Sequence, residues 1–397
     1  MSAADFITPS RAAGFGLGPL LLLTSIFFLN FCARLVMAPL MPRVEQSLSL
    51  SHAQAGGLFL LLSLGYCATL LGSGFVSARL NHRGSIILSA LATGVAMLLL
   101  SLTEGLAGLG GGIFLVGLAA GLYLPSGLAT LISLVPAERW GRALAVHEMA
   151  PNLGFVVAPL LAMGLVEVFS WRGAMACLGA VALAGGLGFW RWGQGGRFAG
   201  QAPDLTSLRA LLKLPGFWTL MLCFSLGLGA SLGIYNMLPL YLVSERGFSP
   251  HRADLLVSAS RLSGVAMAFV SGWASDRLGP RGAMAWVLGL CGALTLGLGA
   301  AREGWLIPLL FLQPMVAVCF FPPGFAALAR LGSSSVRPVA VSLTMPLAFV
   351  LGGGILPALI GFLGQRLSFG WGISLAGALM LLGPLLLRRL DLAPRPD

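Results

Sequence analysis

Apolar residues run along this chain in stretches of about 20, the length that carries a helix across the roughly 30 Å hydrocarbon core of a bilayer, and short polar or charged segments separate them. The pattern predicts twelve helices, numbered here as spans one to twelve, near residues 18–41, 53–78, 85–102, 109–135, 143–166, 173–190, 217–243, 253–275, 282–301, 305–329, 339–363 and 370–387. Continuous apolar runs indicate helices, because a membrane barrel would alternate apolar and polar positions. Between spans six and seven the composition turns to Gly, Gln, Arg and Asp, and Leu208 to Lys213 suggests a short surface helix within that linker.

The polar segments repeat. Gly272-Trp-Ala-Ser-Asp-Arg-Leu-Gly-Pro-Arg281 lies between spans eight and nine, and an imperfect copy, Gly74-Phe-Val-Ser-Ala-Arg-Leu-Asn-His-Arg83, lies between spans two and three. Arg142 to Val146 with Pro151 matches Arg337 to Val341 with Pro346, and Pro125-x-Gly127 matches Pro322-x-Gly324. Similar features at nearly one separation, each at the same place in its half, imply a duplicated six-span unit. The expected fold is therefore an all-α polytopic membrane protein, with twelve transmembrane helices in two pseudo-symmetric six-helix bundles. The expected boundaries are 1–190 for the first bundle, 191–214 for the linker and 215–397 for the second bundle.

Composition agrees with this pattern. Of the 397 residues 57% are hydrophobic and 9% charged, with a mean hydropathy of +0.92, values outside the range of water-soluble domains. The net charge of +11 would suggest nucleic acid in a soluble protein, but the basic residues are scattered among loops, which excludes a nucleic-acid face. They favour one set of loops and tails, which predicts a multi-pass protein of the inner (plasma) membrane with both termini and the linker cytoplasmic. All six cysteines fall in predicted spans without metal-ligand spacing. The first apolar run reads as an uncleaved span.

Two six-span bundles joined by a linker, with this loop between the second and third spans, resemble the major facilitator superfamily of secondary transporters. The superfamily's loop reads roughly Gly-x-x-x-Asp-Arg-x-Gly-Arg/Lys-Arg/Lys. Gly272, Asp276, Arg277, Gly279 and Arg281 match it, with Pro280 a departure. In the first half Gly74, Arg79 and Arg83 match, while Ala78 replaces the acid and Asn81 the glycine. The resemblance implies a conformational latch at Asp276 with Arg277 and Arg281, an anion at a helix N-terminus being its physical basis. It also implies rocking of the bundles about a substrate site near the midplane, lined by spans one, four, seven and ten together with two, five, eight and eleven.

Few ionisable residues remain deep in the spans: Arg34 on span one, His147 and Glu148 on span five, and Arg261 on span eight. Each costs several kcal/mol unless it meets water, a partner or substrate. At a rise of ~1.5 Å per residue both arginines fall between the midplane and the outer side, one in each half. Two guanidiniums facing one cavity would bind an oxyanion bidentately; the alternative is a structural role on helix carbonyls. Glu148 with Asn152 one turn beyond, and the neighbouring His147, are candidates for carrying a proton; otherwise Glu148 pairs with a cytoplasmic base such as Arg142. Asn30, Tyr123, Tyr235, Asn236 and Gln313 are neutral candidates for substrate contact, or else interhelical hydrogen bonds.

No phosphate loop, HExxH helix or nucleophile elbow occurs, so neither an enzyme nor a cofactor is expected. The leading expectation is a monomeric secondary transporter of a small organic anion, a mono- or dicarboxylate, coupled to protons or working by exchange. Nitrate-type transport is an alternative, suggested by Gly352-Gly353-Gly354 on span eleven but opposed by the lack of an arginine within span two. Drug efflux is a second alternative, opposed by the lack of a span-four arginine. A non-transporting sensor would need a signalling extension, which neither the linker nor the tail provides.

Overall fold

The computed structural model describes residues 17–201, 205–332, 337–388 and 390. Among the described residues it is all-α, and its helices account for the twelve expected spans. Span one is Leu17–Leu48, span four Leu106–Leu134, span six Trp171–Trp192, span seven Pro215–Glu245 and span eleven Val339–Arg366. Span five begins at Trp140 and ends at Val168, passing through Pro151 and Pro159 unbroken. Spans two and three form one helical run, His52–Ser101, folded back at Asn81. Spans eight and nine mirror this: Pro250–Ser260 is followed by Gly264–Gly299, which folds back at Gly279. Span ten comprises Glu303–Ala317 and Phe321–Leu328, and span twelve Phe369–Leu381 and Gly383–Leu387.

Local signals define where helices start. Ser51 accepts from the Gln54 N–H at 3.2 Å while the Gln54 side chain accepts from the Ser51 N–H at 2.8 Å, a reciprocal cap for span two. Ser249 caps span eight through its side chain, which accepts from the Arg252 N–H, and Ser170 and Ser368 cap spans six and twelve in the same one-way fashion. In both pairings, Ser51 with Ser249 and Ser170 with Ser368, the residue numbers differ by 198, so the duplication extends to the caps.

The loop motif closes each half upon itself. Asn81 and Gly279 turn the chain with φ of 58° and 72°. Arg83 donates to the carbonyls of Trp190 at 2.7 Å, Phe189 at 3.3 Å and Gly193, at the C-terminal end of span six. Arg281 donates likewise to Arg388 O at 2.6 Å and Leu390 O at 3.2 Å, at the end of span twelve. A guanidinium on the negative end of a helix is favoured twice over, by hydrogen bonds to orphan carbonyls and by the dipole. Arg79 is exposed, and Arg277 lies over the Trp273 ring at 4.6 Å. Gly72 and Gly74 fall within the helical run of span two. The side chain of Asp276, like the surroundings of Gly272, lies outside the described residues. The linker straps across the first loop, Phe198 O accepting from His82 N and Gly196 O from Arg83 N.

The halves are tied together at the end remote from the linker. Arg43 of span one pairs with buried Asp254 of span eight at 3.5 Å. His52 N–H donates to Gln365 of span eleven at 3.1 Å, and Ser258 of span eight donates to Val156 O of span five at 2.6 Å. Spans two and eleven cross closely there: a Cβ on Gly56 would stand 2.6 Å from Pro357 O and 3.1 Å from the Ala358 Cα, so only glycine fits. Nearer the linker, Glu148, Met149 and Leu153 of span five are exposed.

Candidate functional site

A narrow, nearly closed cleft lies between the halves. Phe31, Arg34, Leu35, Leu62, Ser63 and Tyr66 line it from the first half, and Leu232, Asn236, Phe349 and Gly353 from the second. Two local departures from α geometry shape the second wall. Span seven is π-helical over Gly229–Gly233, and span eleven over Phe349–Ile355. Such bulges are frequent at functional sites, because they redirect carbonyls away from the helical ladder. The two π segments meet, so closely that a Cβ on Gly233 would overlap Gly352 O. Asn236 Nδ2 donates to Gly353 O at 3.2 Å.

Arg34 is buried in this cleft among three rings, its guanidinium 4.3 Å from the Tyr66 centroid, 4.6 Å from Phe31 and 5.6 Å from Phe349. Arg261 is equally buried and lies 4.9 Å from Phe155 and 5.1 Å from Tyr235, with one nitrogen donating to Ser231 O at 3.1 Å in the π segment of span seven. Among the described residues no carboxylate lies within ion-pair distance of either, and both Nε atoms are buried without a partner. Ring faces attract cations by about 1–2 kcal/mol each, which offsets only part of the burial of a charge. The Tyr235 hydroxyl and Asn236 Oδ1 are also buried and unpartnered.

The sequence-derived candidates divide on this geometry. Arg34 and Asn236 line the cleft; Arg261 and Tyr235 stand beside it, joined through the edge-to-face pairs Tyr235–Phe155 at 5.0 Å and Phe155–Phe31 at 5.4 Å. Arg34 is thus part of the cleft lining and Arg261 is not. Asn30, one turn before Arg34, points into its own half, donating to Ser89 Oγ and Ala120 O. Gln313 donates to Ala230 O at 2.9 Å and Thr295 Oγ1 at 3.2 Å inside the second half. Tyr123 donates to Leu23 O at 2.8 Å inside the first. These three are satisfied interhelical groups away from the cleft lining. The rings of Phe31, Tyr66, Phe155 and Phe349 belong to the site and were not singled out in the sequence, where an isolated aromatic in an apolar run carries no signal.

Span five departs from expectation too. Glu148 is about half exposed rather than enclosed, and Asn152 bonds the Glu148 backbone carbonyl at 2.9 Å, not its carboxylate. His147 is fully buried, stacked on Phe27 at 4.4 Å, with Nε2 3.0 Å from the Tyr123 hydroxyl. With the Tyr123 proton on Leu23 O, Nε2 must carry the imidazole proton. Nδ1 then remains open, 3.6 Å from Glu148 Oε1.

The model of the Major Facilitator Superfamily matches residues 23–302 and again 234–397, so that the match extends over both halves. The chain belongs to the Major Facilitator Superfamily. It is therefore a transporter-family membrane protein and not an enzyme. It is 26% identical over 309 residues to the membrane sensor protein UhpC of Salmonella typhimurium, covering 72% of this chain and 69% of that one. It is 22% identical to the D-galactonate transporter of Escherichia coli O6:H1 over 95% of this chain and 96% of the relative. The crystal structure of a bacterial homologue of the human lysosomal transporter Spinster, inward-facing and unoccupied, aligns with a TM-score of 0.82 at 16% identity, covering 97% of this superfamily member and 100% of the other chain.

Proposed function

We propose that this protein is a secondary transporter of a small organic anion, working by alternating access of its two halves. The observation that carries the reading is the pair of buried guanidiniums, Arg34 and Arg261, with unpartnered Nε atoms and no carboxylate within reach among the described residues. A buried cation without a counter-ion favours a ligand that brings one. Arginine's planar fork suits carboxylate and similar oxyanions. The likeness to a D-galactonate transporter supports an organic anion.

Proton coupling at span five is part of the proposal. Protonation of His147 Nδ1 would create an imidazolium beside Glu148, which is about half exposed. From His147 the rings run through Phe27 and then Phe31, 6.1 Å apart, to the guanidinium of Arg34. A charge on His147 and an anion on Arg34 are thus linked through span one. The protein works as a monomer in the inner membrane, its termini and linker cytoplasmic by the distribution of basic residues. The tied end is then the outer one.

The test is a thermal-shift series on the purified full chain with carboxylates, inorganic oxyanions and lipophilic cations, since a ligand of the folded state raises its melting temperature. Stabilisation by a carboxylate, lost in Arg34→Ala and Arg261→Ala, is the expected result. Stabilisation by lipophilic cations alone, kept in both variants, would replace the anion reading with drug efflux.

A further inference from the structure

Asn236 stands in the cleft wall with Arg34, 2% exposed, and its amide orientation is decided by chemistry. Gly353 O can only accept, so the atom 3.2 Å from it must be Nδ2, and the amide cannot be flipped without setting two acceptors against each other. Oδ1 is consequently the end left over, and it is buried without a partner among the described residues. A buried amide oxygen with no donor is unfavourable by an amount comparable to a lost hydrogen bond.

Among the described residues the cleft therefore carries two complementary unpaired groups: a guanidinium Nε that can donate to an acceptor, and an amide oxygen that can accept from a donor. A simple carboxylate pairs with the first and leaves the second unpaired. We infer that the substrate is a hydroxylated organic anion, its anionic group on Arg34 and a hydroxyl donating to Asn236 Oδ1. This inference rests on the anion reading and narrows it. A site built to hydrogen-bond a hydroxyl rejects the analogue lacking it far more strongly than a hydrophobic pocket rejects an extra methylene, because its own polar group is left unpaired. The arrangement also spans the halves. Arg34 belongs to span one and Asn236 to span seven, and Asn236 is anchored by Nδ2 to the π segment of span eleven, so a hydroxy acid would clamp all three helices.

The experiment compares matched pairs on the purified full chain: lactate against propionate, and glycerate against 3-hydroxypropionate and propionate, with affinities from concentration-dependent melting. The expected result is that the unmodified protein binds the hydroxylated member of a pair about tenfold or more tightly, and that Asn236→Leu reduces the ratio to near one while still binding the deoxy acid. Arg34→Ala should lose both members together. Equal binding of each pair by the unmodified protein overturns the inference and leaves the anion reading intact, an outcome independent of whether any variant folds. A hydroxyl preference that survives in a folded Asn236→Leu overturns the assignment to Asn236. If no organic anion binds at all, the anion reading falls and this inference with it.

Discussion

Arg261 of the second half lies over the ring of Phe155 in the first, 4.9 Å from its centroid. The reverse reach is also made, Arg34 of the first half lying 5.6 Å from Phe349 of the second. Phe155 and Phe349 sit on corresponding fifth helices, each about one turn past a proline, Pro151 and Pro346. The partners within each half are exchanged: span one offers Arg34 to Tyr66 of span two, whereas span seven offers Tyr235 to Arg261 of span eight. The duplication thus preserved an arginine, a tyrosine and a borrowed phenylalanine in each half while swapping which helix carries the charge.

Because these charges are buried without counter-ions among the described residues, their removal should not destabilise the protein without ligand. Arg34→Met, of similar length and apolar, is expected to leave the melting temperature unchanged or raise it, while the rise produced by an anionic ligand disappears, corresponding to a loss of about 1.5–3 kcal/mol of charged hydrogen bonding. An arginine serving only structure would give the opposite pair of results, a lower melting temperature and an intact ligand response.

Proton coupling makes a separate prediction. Proteoliposomes containing His147→Gln should still exchange labelled for unlabelled substrate across the membrane but should fail to accumulate it when a pH gradient is imposed. Tyr123 and Glu148 are the titratable groups in contact with His147. Tyr123→Phe removes the hydroxyl from Nε2 and leaves the Nδ1 side facing Glu148, so accumulation should persist at reduced rate. Gradient-driven accumulation by His147→Gln equal to that of the parent protein would remove His147 from the coupling path.

Much of this architecture was legible in the sequence, because bilayer thickness fixes the length of an apolar run and duplication copies polar punctuation along with it. The left-handed turn at Gly279 and its counterpart at Asn81, and the twin bases Arg83 and Arg281, follow from that punctuation. Rotation of each helix does not. Asn30 and Arg34 are one turn apart, yet Asn30 meets spans three and four while Arg34 meets spans two and eleven, because span one packs its own bundle along one margin and the other half along the next. The π segments were also invisible: Gly-rich runs such as Gly352 to Gly354 permit tight crossing, but which carbonyl leaves the ladder depends on the neighbour, here the facing π segment of span seven.

The ion pair at the tied end should respond unequally to loss of its two members. Asp254 is 1% exposed and Arg43 22%. Arg43→Ala leaves the buried Asp254 carboxyl without its partner, whereas Asp254→Asn leaves an arginine that can turn to water. Separation of the halves at that end would hydrate Asp254, so Arg43→Ala is expected to shift the population toward the alternative conformation. Labelling of a cysteine introduced at Ser258, under the contact with Val156, would read the shift: faster in Arg43→Ala than in Asp254→Asn. Equal labelling in the two variants would show that the pair does not hold the end closed.

The two loop turns yield a reciprocal pair of substitutions. Asn81 has φ 58° and ψ 172°, and Gly279 has φ 72° and ψ 158°, a backbone region occupied almost solely by glycine, where other residues lose about 1–3 kcal/mol. Asn81 recovers part of this by accepting from the Gly84 N–H at 2.9 Å as the cap of span three, a bond whose replacement by a bare glycine costs a few tenths of a kcal/mol. Asn81→Gly should therefore stabilise the protein by roughly 1 kcal/mol, and Gly279→Asn should destabilise it by a similar amount. Melting of the two variants side by side checks the signs. Since His82 N and Arg83 N directly after the turn hold Phe198 O and Gly196 O of the linker, proteolysis near residue 198 should be slowed in Asn81→Gly and unchanged in Gly279→Asn. Faster cleavage in Asn81→Gly would mean that the asparagine side chain, and not the backbone it strains, is what seats the linker.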